Sequence, residues 1–252
     1  MKRFENKVAV VLGASEMTSM GGAIARRLID EGAKVIVASR TLSKVQKLAD
    51  TIGAVAMACD IKREQDIADL ADFAIQKFGQ LDVAVNCVGE AVMGYIATTD
   101  EATLHHATDL HYIGPFLFIK NMAARMARSG SIVTLSSITA TLTFPNHAAY
   151  MGAKAGTDHL VRIAATEYGK KGIKVNSVTP GFTESPMTTG FLAIPGVREV
   201  FEKEIPLGRL NTIDDVAAAV LWLSTDEAYL TGQNLQANGG NSLTRLPVIE
   251  LG

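Results

Sequence analysis

Cysteine, a surplus of either charge and long apolar runs are all scarce in this chain, and each shortage removes a class of protein. Only Cys59 and Cys87 occur in 252 residues, each inside an apolar segment and without metal-ligand spacing. That excludes a disulfide-built scaffold and a cysteine-held metal, and it suits a reducing, cytoplasmic setting with both thiols in the core. Lysine and arginine total 24 against 26 aspartates and glutamates, and the basic residues are scattered. A nucleic-acid partner, which needs a basic stripe, is not expected. The first apolar run, 8–12, is too short for the core of a signal peptide, and no stretch approaches the roughly 20 apolar residues of a membrane span. Linkers, repeats and low-complexity segments are missing too, so residues 1–252 read as one domain with material for a large core.

What is present is alternation. Short apolar runs at 8–12, 34–38, 55–58, 83–87, 132–135, 175–178 and 235–237 read as buried strands. Amphipathic stretches at 23–31, 43–52, 63–78, 101–128, 149–168 and 213–224 read as helices, several closed by glycine, and Asn211 or Thr212 suits the cap of the last. Strand–helix alternation predicts an α/β fold with a doubly wound parallel sheet. The alternation lapses at residues 181–210, which hold Pro186, Pro195 and Pro206 around one short helical candidate, 197–204. A loop this long after the carboxyl end of a strand reads as a substrate loop or lid. The tail, 241–252, is apolar through Leu246, Val248, Ile249 and Leu251.

The first strand runs into Gly13-Ala14-Ser15-Glu16-Met17-Thr18-Ser19-Met20-Gly21-Gly22. Strand, glycine-bearing turn, then helix is an arrangement in which backbone N–H groups hold a pyrophosphate, although the spacing is not G-x-G-x-x-G. The second strand ends at Ser39-Arg40, where NAD-selective folds place an acidic residue on the ribose 2′-hydroxyl. A guanidinium there suits a 2′-phosphate, so NADPH/NADP is favoured over NADH/NAD. Asp60-Ile61 ends the third strand, where the carboxylate suits an adenine amino group.

One further stretch carries the chemistry. An apolar run delivers Ser137, a loop closed by Phe144-Pro145 follows, and a helix carries Tyr150 and Lys154. Residues i and i+4 share a helix face, so phenol and ammonium point into one space. A phenol ordinarily titrates near pH ~10, and a nearby ammonium is expected to lower that value. Tyr-x-x-x-Lys also occurs on ordinary exposed helices; the surrounding chain gives it meaning.

With these pieces assembled, the chain resembles the short-chain dehydrogenase/reductase family over nearly its whole length. Asn86-Cys87-Val88-Gly89 is similar to the family's Asn-Asn-Ala-Gly, and Ser137, Tyr150 and Lys154 keep its spacing of thirteen and then four. Asn176 to Pro180-Gly181 resembles its Asn-x-x-x-Pro-Gly, with Ser185 at the position expected to bind the carboxamide, and Asn238-Gly239-Gly240 stands for its Asp-Gly-Gly. The resemblance implies a single-domain Rossmann-type fold and hydride transfer between a nicotinamide and a carbonyl carbon. Tyr150 would be the general acid or base, Lys154 its tuner and ribose contact, and Ser137 the holder of the substrate oxygen. Further cofactor contacts would come from Gly13, Ser15, Asp60, Ile61, Asn86, Gly89, Gly181, Thr183 and Ser185. Family members usually form tetramers through the helices at 101–128 and 149–168, so a homo-oligomer is expected.

Two departures stand out. The glycine turn is two residues longer than Gly-x-x-x-Gly-x-Gly and looks like that of the enoyl-acyl-carrier-protein reductases, which makes Ser19 and Met20 cofactor contacts. Those enzymes space their tyrosine and lysine further apart than four, so the catalytic helix points away from enoyl reduction. His111 stands where the family has asparagine, the holder of a relay water; it is read as a relay member that meets Lys154, as a source of pH dependence, or as a filler. His105 and His106 read as ordinary helix residues, and His147 as exposed or facing substrate. The expected pocket wall, Met93, Tyr95, Phe144, Phe182, Met187, Phe191, Leu192 and Ile194, is apolar, with Arg198 and Glu199 nearby. A hydrophobic ketone or secondary alcohol follows as substrate. The alternatives are an enoyl-thioester reductase and a catalytically silent nucleotide-binding regulatory protein.

Overall fold

The computed structural model describes residues 2–127 and 129–247. Seven strands form one sheet in the order β3-β2-β1-β4-β5-β6-β7. They are β1 (Val8–Leu12), β2 (Lys34–Ser39), β3 (Val55–Ala58), β4 (Val83–Asn86), β5 (Gly130–Leu135), β6 (Ile173–Pro180) and β7 (Asn234–Ala237), and every pairing is parallel. Parallel strands covered on both faces must be apolar throughout, which is why they stood out as continuous runs.

Alternation along β1 distributes its side chains to two cores. Val8, Val10 and Leu12 face α3 (Glu64–Phe78), α5 (Gly114–Arg125) and α6 (Ala148–Tyr168) through Ile67, Leu70, Phe118, Met122 and Val161. Ala9 and Val11 face α1 (Met20–Asp30), α2 (Leu42–Ile52) and α9 (Ile213–Ser224) through Ile24, Leu28, Val45, Leu48, Val216 and Val220. The chain leaves β1 towards β2 and β3, then returns to β4 on the other side. That reversal opens a crevice at the carboxyl ends of β1 and β4.

The helix expected at 101–128 is two helices, α4 (Glu101–Thr108) and α5, joined by a π turn at Asp109–Ile113. Pro115 is the cause we identify. It has no N–H to offer the His111 carbonyl four residues back, so that carbonyl is released and accepts the Thr157 hydroxyl from α6 instead. The Gly114 N–H closes a wider bond to Asp109 O. Close packing adds to this, since a Cβ on Gly114 would lie 2.8 Å from the Ile61 side chain.

Helix α9 is capped by Thr212 in a reciprocal capping box with Asp215, whereas Asn211 bonds Ala237 O at 2.6 Å. Residues 181–210 contain two short helices, α7 (Thr189–Leu192) and α8 (Val197–Lys203), around a small core of their own: Val197, Phe201, Ile205 and Leu210. Leu246 of the tail packs on that core. The other apolar tail residues, Val248, Ile249 and Leu251, lie outside the described residues, as does Arg128.

Candidate active site

Because all strands run the same way, their carboxyl ends form one edge. In strand order that edge presents Asp60 after β3, Arg40 after β2, Gly13 after β1, Asn86 on β4, Ser137 after β5 and Gly181 after β6. Gly13 has φ +90°, and a Cβ there would lie 2.6 Å from the carbonyl carbon of Cys87, so only glycine lets the turn cross beneath β4. Ser19 caps α1: its hydroxyl accepts the Gly22 N–H at 3.0 Å and donates to Glu16 O at 2.7 Å. The Ser19 N–H also goes to Glu16 O, so the Met20 and Gly21 N–H groups remain at the helix start for an anion. The turn therefore fits a pyrophosphate through its backbone, with the serine hydroxyl occupied as a cap. Arg40 is exposed and takes part in no ion pair among the described residues. Asp60 accepts the Lys62 N–H at 3.0 Å, and Asn86 the Val88 N–H at 3.0 Å, each turning the chain out of its strand. Asn176 lies apart from this edge, tying β6 to the approach of β7 through Leu230 O and the Gln233 N–H.

Ser137, Tyr150 and Lys154 come together at the end of β5. Ser137 ends the strand's run, its hydroxyl 2.9 Å from that of Thr139. Tyr150 and Lys154 lie one turn apart on α6, and the Lys154 ammonium donates to Leu135 O at 2.7 Å and sits 5.8 Å from the tyrosine ring centre. Burial brings the lysine down to about 8, against an upward pull from Asp158. Burial also raises the Tyr150 phenol, opposed by the Ser137 hydroxyl. The net direction is opposite to the expected lowering, because desolvation of the phenolate outweighs the opposing influence, and the tyrosine is protonated at neutral pH.

His111 is fully buried in the π turn, its ring edge-on to Tyr150 with centroids 4.8 Å apart. Its Nε2 lies 3.0 Å from Glu90 O. A carbonyl only accepts, so Nε2 carries the hydrogen and Nδ1 is an acceptor, buried without a protein partner among the described residues. Burial, then the Lys154 charge, push this histidine down to about 3. The pH dependence entertained from sequence is thus corrected for the working range, because a ring that titrates near 3 stays neutral there. The lysine contact takes a different form from the expected meeting: Lys154 bonds Leu135 O, and His111 bonds Glu90 O.

The segment 181–210 reaches this cleft through Met187, whose terminal methyl lies 3.8 Å from where a Cβ on Gly89 would stand. Thr183 donates to Gly181 O, and Thr188 accepts the Ser185 N–H while donating to Thr183 O. Phe182, Phe191 and Leu192 were expected in the pocket wall; instead they pack on the loop's own core, with Phe182 stacked on Phe201 at 4.0 Å between centroids. Tyr95 and Phe144 line an open groove of about 590 Å³ with Ile96, Pro145 and Met151 beside the start of α6. His147 heads that helix, held by Pro145 O at 3.0 Å. His105 faces Glu101, and His106 lies 3.4 Å from the Glu90 carboxylate.

A family model described as enoyl-(acyl carrier protein) reductase matches residues 13–242. Borneol dehydrogenase, mitochondrial, of Lavandula x intermedia is 32% identical over 96% of this chain and 93% of its own length. The 3-oxoacyl-[acyl-carrier-protein] reductase FabG of Staphylococcus epidermidis is 32% identical over 93% of this chain and 98% of its own. Among solved structures, a short-chain type dehydrogenase/reductase from Mycobacterium ulcerans superposes with a TM-score of 0.91 at 28% identity, covering 97% of this chain and 93% of that one. The chain belongs to the short-chain dehydrogenase/reductase family. As a short-chain dehydrogenase/reductase it is an oxidoreductase that works with a nicotinamide cofactor, NAD or NADP. No described helix is long and apolar enough to cross a membrane, and no metal-binding cluster of histidine, cysteine or carboxylate occurs among the described residues.

Several groups around Ser137, Tyr150 and Lys154 were not expected from the sequence. Glu90 offers its carbonyl to His111, and Thr157 takes up the His111 carbonyl. Asp158 accepts hydroxyls from Ser136 and Ser177. The signal for Asp158 was present as a carboxylate one helical turn beyond Lys154; its serine partners come from strands and required the fold.

Proposed function

We propose that this chain is an NADP(H)-dependent short-chain dehydrogenase/reductase acting on a hydrophobic ketone or its secondary alcohol, with Tyr150 as general acid and base. The observation that carries the reading is the pair on α6, a half-buried Tyr150 one turn from the buried Lys154, with Ser137 facing the tyrosine from the end of β5. The cofactor supplies the hydride; the protein supplies position, charge and the proton. In reduction, Ser137 holds the substrate oxygen and Tyr150, protonated at neutral pH, gives it a proton. Lys154 stabilises the phenolate left behind. His111, neutral with an open acceptor, orders a water for the lysine without itself carrying a proton. Around the cofactor, the Gly13 turn, Ser15, Met20, Asp60, Ile61, Asn86, Gly89, Gly181, Thr183 and Ser185 make the contacts.

Apolar character along the groove by Tyr95 and Phe144 supports a hydrophobic substrate. So do the names of relatives: a borneol dehydrogenase and a trans-4-hydroxycyclohexanecarboxylate dehydrogenase, at 32% identity each, and a 3beta-hydroxysteroid dehydrogenase, at 31%. Arg40, free of carboxylates and next to β2, supports NADPH. Exposed Leu104, Ile113, Phe116 and Ile163 on α4, the π turn, α5 and α6 support a homo-oligomer, a tetramer in this reading, and the cysteine usage supports a cytoplasmic setting. Enoyl-thioester reduction is the second reading. It is favoured by the long glycine turn and the description of the matched family, and disfavoured by the Tyr–Lys spacing of four.

The test is a screen of alicyclic and acyclic ketones and a crotonyl thioester, followed by NADPH absorbance beside NADH. Ketone reduction is expected, with Tyr150→Phe losing roughly 10²- to 10⁴-fold in kcat. Thioester consumption with ketones untouched overturns the reading. For the cofactor, Arg40→Asp is expected to weaken NADPH binding by about ten- to a hundredfold and to spare NADH. Equal losses for both would remove Arg40 as the selector.

A further inference from the structure

Four titratable groups surround Lys154, and they come from three elements. Cys87 follows β4, His111 lies in the π turn, and Tyr150 and Asp158 flank the lysine on α6. Burial pushes the Cys87 thiol up to about 12 and holds His111 down at about 3, while the Tyr150 phenol is raised. At neutral pH these three are uncharged. Asp158 is different: it is a carboxylate, 8% exposed, in the interior between α6 and the sheet.

Its surroundings are built to keep it there. Ser136 donates to Oδ2 at 2.7 Å and Ser177 donates to Oδ1 at 3.0 Å. Ser136 is the neighbour of Ser137, so strand alternation sends one hydroxyl to the substrate side and the other beneath it. Ser177 belongs to β6, opposite Thr134 of β5. One donor on each oxygen suits an acceptor-only carboxylate. No lysine, arginine or histidine nitrogen lies within 4 Å of it among the described residues, and a buried charge without a partner is expensive. Lys154 is the cation within reach, one helical turn away, and Asp158 is the main influence holding the ammonium up against burial.

The geometry points to Asp158 as a positioning residue for Lys154: a carboxylate tethered to β5 and β6 by Ser136 and Ser177 that keeps the buried lysine charged. The tether matters as much as the charge. A free carboxylate one turn away would capture the ammonium directly. Held by two serines, it acts across a gap, and Nζ stays on Leu135 O with its remaining hydrogens available to the cleft. The inference rests on the reading that Lys154 serves Tyr150, and it adds the source of the lysine's charge.

The test reads Lys154 directly, by NMR titration of protein labelled with [13Cε]lysine and assigned with Lys154→Met. In Asp158→Asn, which keeps size and an acceptor oxygen, the midpoint of Lys154 is expected to fall by a pH unit or more, and Asp158→Glu to restore it. Reduction of a substituted cyclohexanone should lose its basic limb at correspondingly lower pH. A uniform fall in kcat with an unmoved profile and an unmoved lysine midpoint means that Asp158 only supports the fold, and overturns the inference. If Asp158→Asn does not fold, the Ser136→Ala/Ser177→Ala pair replaces it, with a smaller shift in the same direction expected and no shift overturning the inference. Lys154→Met separates the two levels. Full activity in that variant sinks the reading of the site, whereas lost activity with an unmoved lysine in Asp158→Asn sinks only the role of Asp158.

Discussion

Around Lys154 the polar groups are buried or half-buried, and most are tied to the sheet, a neighbouring helix or the loop after β4. Residues 181–210 are assembled in the other way, around a separate apolar core with their charges on the surface. In the first region Lys154 bonds Leu135 O at the end of β5 and Asp158 bonds two serines at the sheet, while His111 bonds Glu90 O in the loop after β4, so most of these side chains are placed by elements that the main cores hold. In the second, Phe182 stacks on Phe201, Val197 and Ile205 fill in around them, and Arg198 reaches Glu184 and Glu202 in the open. The difference teaches where variation is tolerable. A loop with its own core can change shape without disturbing the position of Tyr150 and Lys154, and side chains fixed on a helix against a sheet do not depend on which loop covers them.

The strongest way to break this comparison is to cut a large side chain from each core. Phe118→Ala empties a fully buried site between α5 and the sheet, and is expected to cost about 3–5 kcal/mol of global stability. Phe201→Ala removes the same side chain from the loop core, where it is 4% exposed. There the expected result is a rise in KM for the ketone with a much smaller drop in the urea midpoint, because the loop opens locally before the sheet unfolds. Equal drops in the midpoint for the two variants would show that the loop belongs to the main cooperative unit.

The same contrast explains what the sequence could and could not show. Parallel strands covered on both faces are uninterrupted apolar runs, and Tyr150 and Lys154 share a helix face by spacing alone, so the sheet and the placement of that pair were legible. The π turn was hidden because its cause lies in what Pro115 lacks, an N–H for the His111 carbonyl, and the resulting partner, Thr157, is 46 residues away. The Asp158 tether joins residues 22 and 19 positions apart that only the sheet brings together. Phe182, Phe191 and Leu192 were placed in the pocket because apolar composition in a loop does not distinguish a wall facing a ligand from a core facing itself. The Ser19 hydroxyl was assigned to a ligand, whereas helix capping already uses it in both directions.

A smaller effect sharpens the comparison from the rigid side, through His111. The ring is neutral and buried with its midpoint near 3, against an ordinary 6.5. Between those values the unfolded chain binds a proton that the folded chain refuses, so stability rises with pH in that window. The contribution is complete above pH 6.5 and is lost as the pH falls towards 3, at about 1.4 kcal/mol per pH unit, or about 2 kcal/mol between pH 6.5 and pH 5. His111→Asn removes the titrating ring, and carboxylates that also respond to acid, Asp72 and Asp215 among them, cancel when variant and wild type are compared at each pH. Urea midpoints at pH 7 and pH 5 should therefore converge in the variant relative to the wild type. Parallel behaviour across that interval would mean that His111 is protonated in the folded protein, and the site would then hold a second buried cation beside Lys154, leaving the Asp158 carboxylate to serve two charges instead of one.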